Sequence, residues 1–143
     1  MFMGEYRHSI DEKGRLIVPA KLREQLGREF IATKGLDKCL YLYPMDEWRH
    51  VEDQLREKIM TDPKSRSIVR FFLAGAVPCE LDRQGRVLIP AQLRDFAGLG
   101  RDVVLAGMLT RLEVWDEKNW NEANTVSDMD EMARAMAEMG IAI

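Results

Sequence analysis

Two cysteines in 143 residues, Cys39 and Cys79, are too few for a disulfide framework. They read as small buried thiols in a reducing compartment, because free cysteine packs like a small apolar side chain. No apolar run approaches the ~18 residues that a membrane span needs. The opening residues, Met1-Phe2-Met3-Gly4-Glu5-Tyr6-Arg7, carry no apolar signal-peptide core, so the expected location is the cytoplasm. Histidine is equally scarce. His8 falls on a predicted strand and His50 on a predicted helix, with no His-x-x-x-His or paired-cysteine spacing to hold a metal. Neither a Gly-x-x-x-x-Gly-Lys phosphate loop nor a Gly-x-Ser-x-Gly elbow occurs. No cofactor, no metal and no catalysis are expected. Turn formation explains Asp11 and Asp82 better than a catalytic carboxylate pair does.

Positive charge is also short overall, since the net charge is −3. That deficit is local. Residues 113–143 hold eight acidic and two basic side chains, which leaves residues 1–112 at +3. Arg7, Lys13, Arg15, Lys21, Arg23 and Arg28 make the first part basic, and Lys58, Lys64, Arg66 and Arg70 follow mid-chain. A basic face thus remains available to an anionic partner.

What the chain does have is one thirteen-residue pattern used twice. Asp11-Glu12-Lys13-Gly14-Arg15-Leu16-Ile17-Val18-Pro19-Ala20-Lys21-Leu22-Arg23 returns 71 residues later as Asp82-Arg83-Gln84-Gly85-Arg86-Val87-Leu88-Ile89-Pro90-Ala91-Gln92-Leu93-Arg94. Seven positions are identical and the remaining apolar positions stay apolar. The repeat runs on from Gly35 to Gly107 and from Trp48 to Trp120 at an offset of 72, which implies one inserted residue near Gly98-Leu99-Gly100. Each unit spans about fifty residues, too few to bury a good core alone. The two units are therefore expected to pack together as a pseudo-symmetric pair.

Local signals order the elements identically in both units. Strands are predicted over residues 6–10 and 15–18, joined by a turn in which Asp favours the first position and Gly the last. Pro19 opens a short helix to about Leu26, although Val18 and Ile89 are poor caps for it and its repeat. Strands over 30–34 and 39–43 follow, then a helix after Pro44 and another over 65–74. The second unit repeats this with strands over 77–81, 86–89, 102–106 and 111–115. An amphipathic helix over 127–139 starts on a Ser127/Asp130 capping box and carries a Met129, Met132, Met136, Met139 stripe, which reads as packing surface or as an adaptable contact with another subunit. The fold class is α+β and strand-rich. The predicted divisions are a first unit at 5–48, linking helices at 49–76, a second unit at 77–120 and a tail at 121–143.

A Gly-Arg pair at the end of a turn sets a guanidinium at the base of the returning strand. Arg15 and Arg86 are the candidate DNA-binding residues, because the planar five-donor fork matches phosphate or a guanine edge. Lys13 and Arg83 lie within the turns and add phosphate contacts. Lys21, Arg23 and Arg94 lie on the short helices beyond. An alternative is that Arg15 and Arg86 pair with Asp11 and Asp82 and serve only the hairpin's shape.

The doubled Asp-x-x-Gly-Arg-x-x-x-Pro-Ala-x-Leu-Arg pattern resembles the AbrB-type (SpoVT–AbrB, swapped-hairpin) DNA-binding domain. Two such units in a chain of this length resemble the MraZ family of bacterial transcriptional regulators. Met-Phe-x-Gly-Glu-Tyr at the start, Leu42-Tyr43-Pro44-Met45-Asp46-Glu47-Trp48, and Arg70-Phe71-Phe72-Leu73-Ala74-Gly75-Ala76 carry the resemblance over nearly the whole chain. It implies an interleaved intrachain barrel and assembly into homo-oligomeric rings. It also implies nucleoid-associated binding to double-stranded DNA at tandem promoter repeats of the division and cell-wall gene cluster, mainly as a repressor, with the protein's own gene among the targets. The family's DNA-contacting arginine falls on Arg15 and Arg86, and its helix-borne basic position on Arg23 and Arg94. Gln92 stands where the first unit has Lys21, Arg83 where it has Glu12, and Gln84 where it has Lys13, so the halves are expected to contribute unequally. An AbrB-like antitoxin fits less well, because two units and a helical, Met-rich tail are not its usual plan. A ring without DNA affinity is the remaining rival.

Overall fold

The computed structural model covers residues 1–143. The chain runs β1 (Glu5–Ser9), β2 (Arg15–Ile17), α1 (Ala20–Leu26), β3 (Glu29–Lys34), β4 (Leu40–Pro44), α2 (Met45–Lys58) and α3 (Pro63–Gly75). The order then recurs as β5 (Val77–Glu80), β6 (Arg86–Leu88), α4 (Ala91–Ala97), β7 (Asp102–Gly107), β8 (Leu112–Asp116) and α5 (Glu117–Ala123), closing with α6 (Met129–Glu138). The α+β, strand-rich reading holds.

The pairing interleaves the two halves. A six-stranded antiparallel sheet has the order β1-β7-β8-β4-β3-β5, and β2 pairs with β6 as a separate two-stranded ribbon. The first strand of each half thus lies on the third strand of the other, with Ser9 opposite Asp102 and Glu80 opposite Glu29. The two central pairings are self-complementary. Tyr41 meets its repeat partner Glu113 at the middle of β4–β8, and Leu16 meets Val87 at the middle of β2–β6. A pseudo-twofold axis passes through both points.

The expected closed barrel does not form as a hydrogen-bonded ladder, because β1 and β5 end the sheet without pairing to each other. The cause is local. Each chain path turns away at Asp11 or Asp82, and the three-residue strands beyond pair with one another instead. Val18 N–H donates to Gly85 O at 3.0 Å and Ile89 N–H to Gly14 O at 2.9 Å, which lengthens that ribbon by one bond at each end.

Both halves contribute to one main core. Leu16, Val18, Leu22, Leu26 and Phe30 pack with Leu81, Val87, Ile89, Leu93 and Val103 in a cluster of 20 buried residues. On the sheet's other face, Ile31, Tyr41, Tyr43, Trp48, Val104 and Trp115 form a smaller cluster against α2 and its repeat partner α5. The one buried carboxylate, Glu113, accepts from Trp115 Nε1 at 2.9 Å and from Arg111 Nη2 at 3.3 Å. Both cysteines are buried, and desolvation pushes the Cys39 thiol up to about 12 and Cys79 to about 11.

Several boundaries differ from expectation for identifiable reasons. Pro19 and Pro90 are themselves the helix caps, held extended at ψ 142° and 144°. The Pro19 carbonyl accepts from Leu22 and Arg23, so a residue without an N–H loses nothing there. Val18 and Ile89 are buried ends of the ribbon and not caps at all. The helix expected at residue 65 starts at Pro63, because Asp62 caps it and proline suits the first turn. Asp128, not Ser127, caps α6 by accepting from the Asp130 and Glu131 N–H groups. The single insertion is really two changes. The register places Val103 where Phe30 lies and Asp116 where Pro44 lies. The α4–β7 loop has therefore gained two residues and the β7–β8 turn has lost one.

Interleaving makes an independent half costly, since each would expose the apolar face that the other covers. Fragments 1–76 and 77–143, expressed separately, should not fold as monomers. Each should be unfolded, or should recruit a second copy in place of the missing half. Circular dichroism with mass measurement checks this, and a folded fragment of single-chain mass would contradict it.

Candidate nucleic-acid interface

The two Gly-Arg turns are near-copies in atomic detail. Asp11 Oδ1 accepts from the backbone N–H of Lys13 and of Arg15, both at 2.9 Å, and its Oδ2 accepts from Arg15 Nε at 2.7 Å. Asp82 Oδ1 accepts from Gln84 and Arg86 N–H at 2.8 and 2.9 Å, and Oδ2 from Arg86 Nε at 2.8 Å. One carboxylate thus shapes the turn and aims the side chain that leaves it. The bonds to the backbone N–H groups of Arg15 and Arg86 are the largest cause holding the Asp11 and Asp82 carboxyls below the usual carboxylate range, with the guanidinium bonds adding to it. Only Nε of each guanidinium is engaged, so its outer nitrogens keep their donors free. The shape-holding alternative and the DNA-binding reading are therefore compatible.

Gly14 and Gly85 are required at these turns by their φ values, +87° and +75°, which L side chains rarely adopt. A Cβ on Gly14 would press on the flexible end of Arg94, and one on Gly85 on that of Arg23. The helix-borne arginines therefore lie across the other half's turn. Arg94 is anchored there by an Nε bond to Ile89 O at 2.9 Å. Arg23 and Arg94 are half-buried braces, whereas Lys13, Arg83 and Lys21 are exposed, the first two in the turns and Lys21 on α1.

The structure gathers Arg15 and Arg86 onto a single ribbon. Arg15 stands opposite Leu88 and Arg86 opposite Ile17. Strand alternation then sends Leu16 and Val87 into the core and leaves Arg15, Ile17, Arg86 and Leu88 on the outer face. Diagonal neighbours of this kind lie about 7–8 Å apart. Ile17 and Leu88 are 49% and 57% exposed, large aliphatic side chains left in solvent between two arginines. Sequence reasoning counted them simply as apolar repeat positions. Their period-two relation to Arg15 and Arg86 was the signal that sets them beside the guanidiniums. Beside one turn, Arg23, Arg28, Asp82, Arg83, Leu81 and Gly85 line a cleft of about 420 Å³. Arg28 is paired there with Glu80 at 3.0 Å.

Comparison with known proteins agrees with the doubled pattern. A family model described as "MraZ protein, putative antitoxin-like" matches residues 1–71 and again 72–139. The Transcriptional regulator MraZ of Clostridium beijerinckii is 51% identical over 142 residues, 99% of this chain and all of that protein. Its namesake from Desulfitobacterium hafniense is 58% identical over 120 residues, 84% of each chain. That of Syntrophomonas wolfei is 49% identical over 143 residues, 99% of this chain and all of its own. The fold is an α+β body built from a repeated unit, and the chain belongs to the MraZ family.

The Asp–Arg clamp has a pH signature with a definite sign. A carboxyl whose folded value is depressed contributes stability above its ordinary range, near 3.9, and loses it as pH falls through the depressed value. Carbon-detected titration should give Asp11 and Asp82 midpoints below that range, and Arg15→Ala should move Asp11 upward. An ordinary midpoint for Asp11 in the unmodified chain would disprove the clamp.

Proposed function

We propose that this protein is a sequence-specific DNA-binding regulator of transcription. In this reading the β2–β6 ribbon enters the major groove, which is about 12 Å wide and admits a two-stranded β-ribbon. Arg15 and Arg86 contact guanine edges or phosphates through their free outer nitrogens. Ile17 and Leu88 meet thymine methyl groups or sugar edges. Lys13 and Arg83 reach phosphates from the turns and Lys21 from α1, while Arg23 and Arg94 act through the turns they brace. The observation that carries the reading is the pair of carboxylate-aimed guanidiniums on one exposed ribbon. The name its relatives share, transcriptional regulator, supports it.

The resemblance supplies the finer terms of the proposal. The units at 5–48 and 77–120 are the two swapped-hairpin halves, joined by 49–76 and followed by a tail at 121–143. The target is a set of tandem repeats in the promoter of the division and cell-wall gene cluster, including the protein's own gene, with repression as the main outcome. The protein works in the cytoplasm at the nucleoid, as a homo-oligomeric ring. Several ribbons held at the spacing of successive repeats would raise avidity through effective concentration.

A base-directed arginine is worth about 1–3 kcal/mol, or roughly 5- to 150-fold in affinity. Arg15→Ala with Arg86→Ala should lower affinity for a tandem-repeat duplex at least about 30-fold in gel-shift titration. Fold and assembly should stay unchanged by circular dichroism and sizing. The unmodified protein should weaken steeply as salt rises from 50 to 200 mM, with a shallower slope in Lys13→Ala/Arg83→Ala. Undiminished binding by the double arginine variant would defeat the assignment.

A further inference from the structure

Two arginines outside the repeated pattern occupy equivalent places at the two ends of the ribbon. Arg28 O accepts from Leu81 N–H at 2.9 Å, and Arg101 O accepts from Ile10 N–H at 2.8 Å. Each is tied by its backbone to the residue that precedes a turn aspartate, Asp82 or Asp11. Gly85 bonds Val18 at one end of the ribbon and Gly14 bonds Ile89 at the other, so the turns stand four strand rises apart, about 13 Å. Set across a major groove about 12 Å wide, turns at that separation lie against its two phosphate walls.

The two ends differ in charge. At the second turn Arg23, Arg28 and Arg83 line the cleft of about 420 Å³ with a single carboxylate, Asp82. That carboxylate is already taken by the Gln84 and Arg86 N–H groups and by Arg86 Nε. Arg28 Nη2 meets Glu80 Oε1 at 3.0 Å, but the two side chains are 76% and 56% exposed. A pair so open to water holds weakly and gives way to a better-matched anion. At the first turn Ser9 stands where Glu80 does, by its register opposite Asp102. Arg101 there lines a cleft with Lys118 and four carboxylates, Asp102, Asp116, Glu117 and Glu122. The first of these clefts attracts an anion and the second repels one.

We propose that the Arg23–Arg28–Arg83 cleft seats one backbone phosphate of bound DNA, Arg28 exchanging Glu80 for it, and that Arg101 makes no such contact. The guanidinium fork offers two parallel donors to the phosphate oxygens. The proposal rests on the DNA-binding reading and adds to it a phosphate contact at one end of the ribbon only.

Arg28→Ala/Glu80→Gln tests it, because the pair leaves net charge unchanged and keeps the Arg28 backbone bond. On a duplex carrying one repeat, affinity should fall about 8-fold at 0.1 M salt, and the salt slope should become shallower by about 0.9. The loss should be the same on a duplex of unrelated sequence, since a phosphate contact reads no base. Arg101→Ala/Asp102→Asn, also neutral in net charge, should change neither quantity. A scan of single methylphosphonates along the duplex should find a position that weakens the unmodified chain and not the Arg28→Ala/Glu80→Gln chain. Unchanged affinity and slope in Arg28→Ala/Glu80→Gln, beside a loss in Arg15→Ala/Arg86→Ala, would overturn the proposal alone. An equal loss in Arg101→Ala/Asp102→Asn would overturn its one-ended character. Loss in Arg28→Ala/Glu80→Gln with none in Arg15→Ala/Arg86→Ala would instead sink the ribbon reading and leave the cleft standing.

Discussion

Everything in this molecule depends on a three-residue ladder. Leu16 against Val87, at the centre of the β2–β6 ribbon, is where the two halves of the chain are stitched together under the candidate interface. The same alternation that buries these two side chains exposes Arg15, Ile17, Arg86 and Leu88. Core and candidate interface are opposite faces of six residues. The ribbon is too short to hold itself, and its rigidity comes from Val18, Leu22, Leu26 and their counterparts beneath it. Loss of a large aliphatic side chain here, worth about 2–5 kcal/mol, would damage the interface through its support.

The aspartates show how one group serves shape and function together. Asp11 and Asp82 each hold two backbone N–H groups and one guanidinium nitrogen. An arginine on an exposed strand ordinarily samples many rotamers, at an entropy cost of up to about 2 kcal/mol when it is fixed. Bonding Nε to the turn carboxylate removes part of that freedom in the free protein. The fork's outer edge, which carries the paired donors, is left unengaged. Arg23 and Arg94 extend this order by pressing across the neighbouring glycine, so each turn is held by the other half's helix.

Much of this was legible in the sequence because it is written locally. The Asp-x-x-Gly-Arg turns, the Pro-Ala helix starts and the branched strands all follow from short-range chemistry, and the doubling announced a pseudo-symmetric pair. What local signals could not give was partnership. Nothing in residues 5–9 says that they lie on 102–106, because a period-two pattern fixes a face and leaves the neighbour unspecified. The same gap hid the roles of Arg23 and Arg94, whose contacts are with the other half of the chain. It also hid the compensating changes at the α4–β7 loop and the β7–β8 turn, which cancel to one residue in a sequence alignment. Ile17 and Leu88 were readable in principle, had strand alternation been weighed above residue type.

Joining the halves covalently has a consequence for what the ribbon can recognise. A true dimer of identical subunits is confined to equal chemistry on both sides of its axis, and its natural target is a palindrome. Here Glu12 stands opposite Arg83 in the repeat, Lys13 opposite Gln84, and Lys21 opposite Gln92. The face therefore has a head and a tail. On the proposed reading a duplex laid across it would have one favoured direction, and sites arranged in the same orientation would match it better than inverted ones.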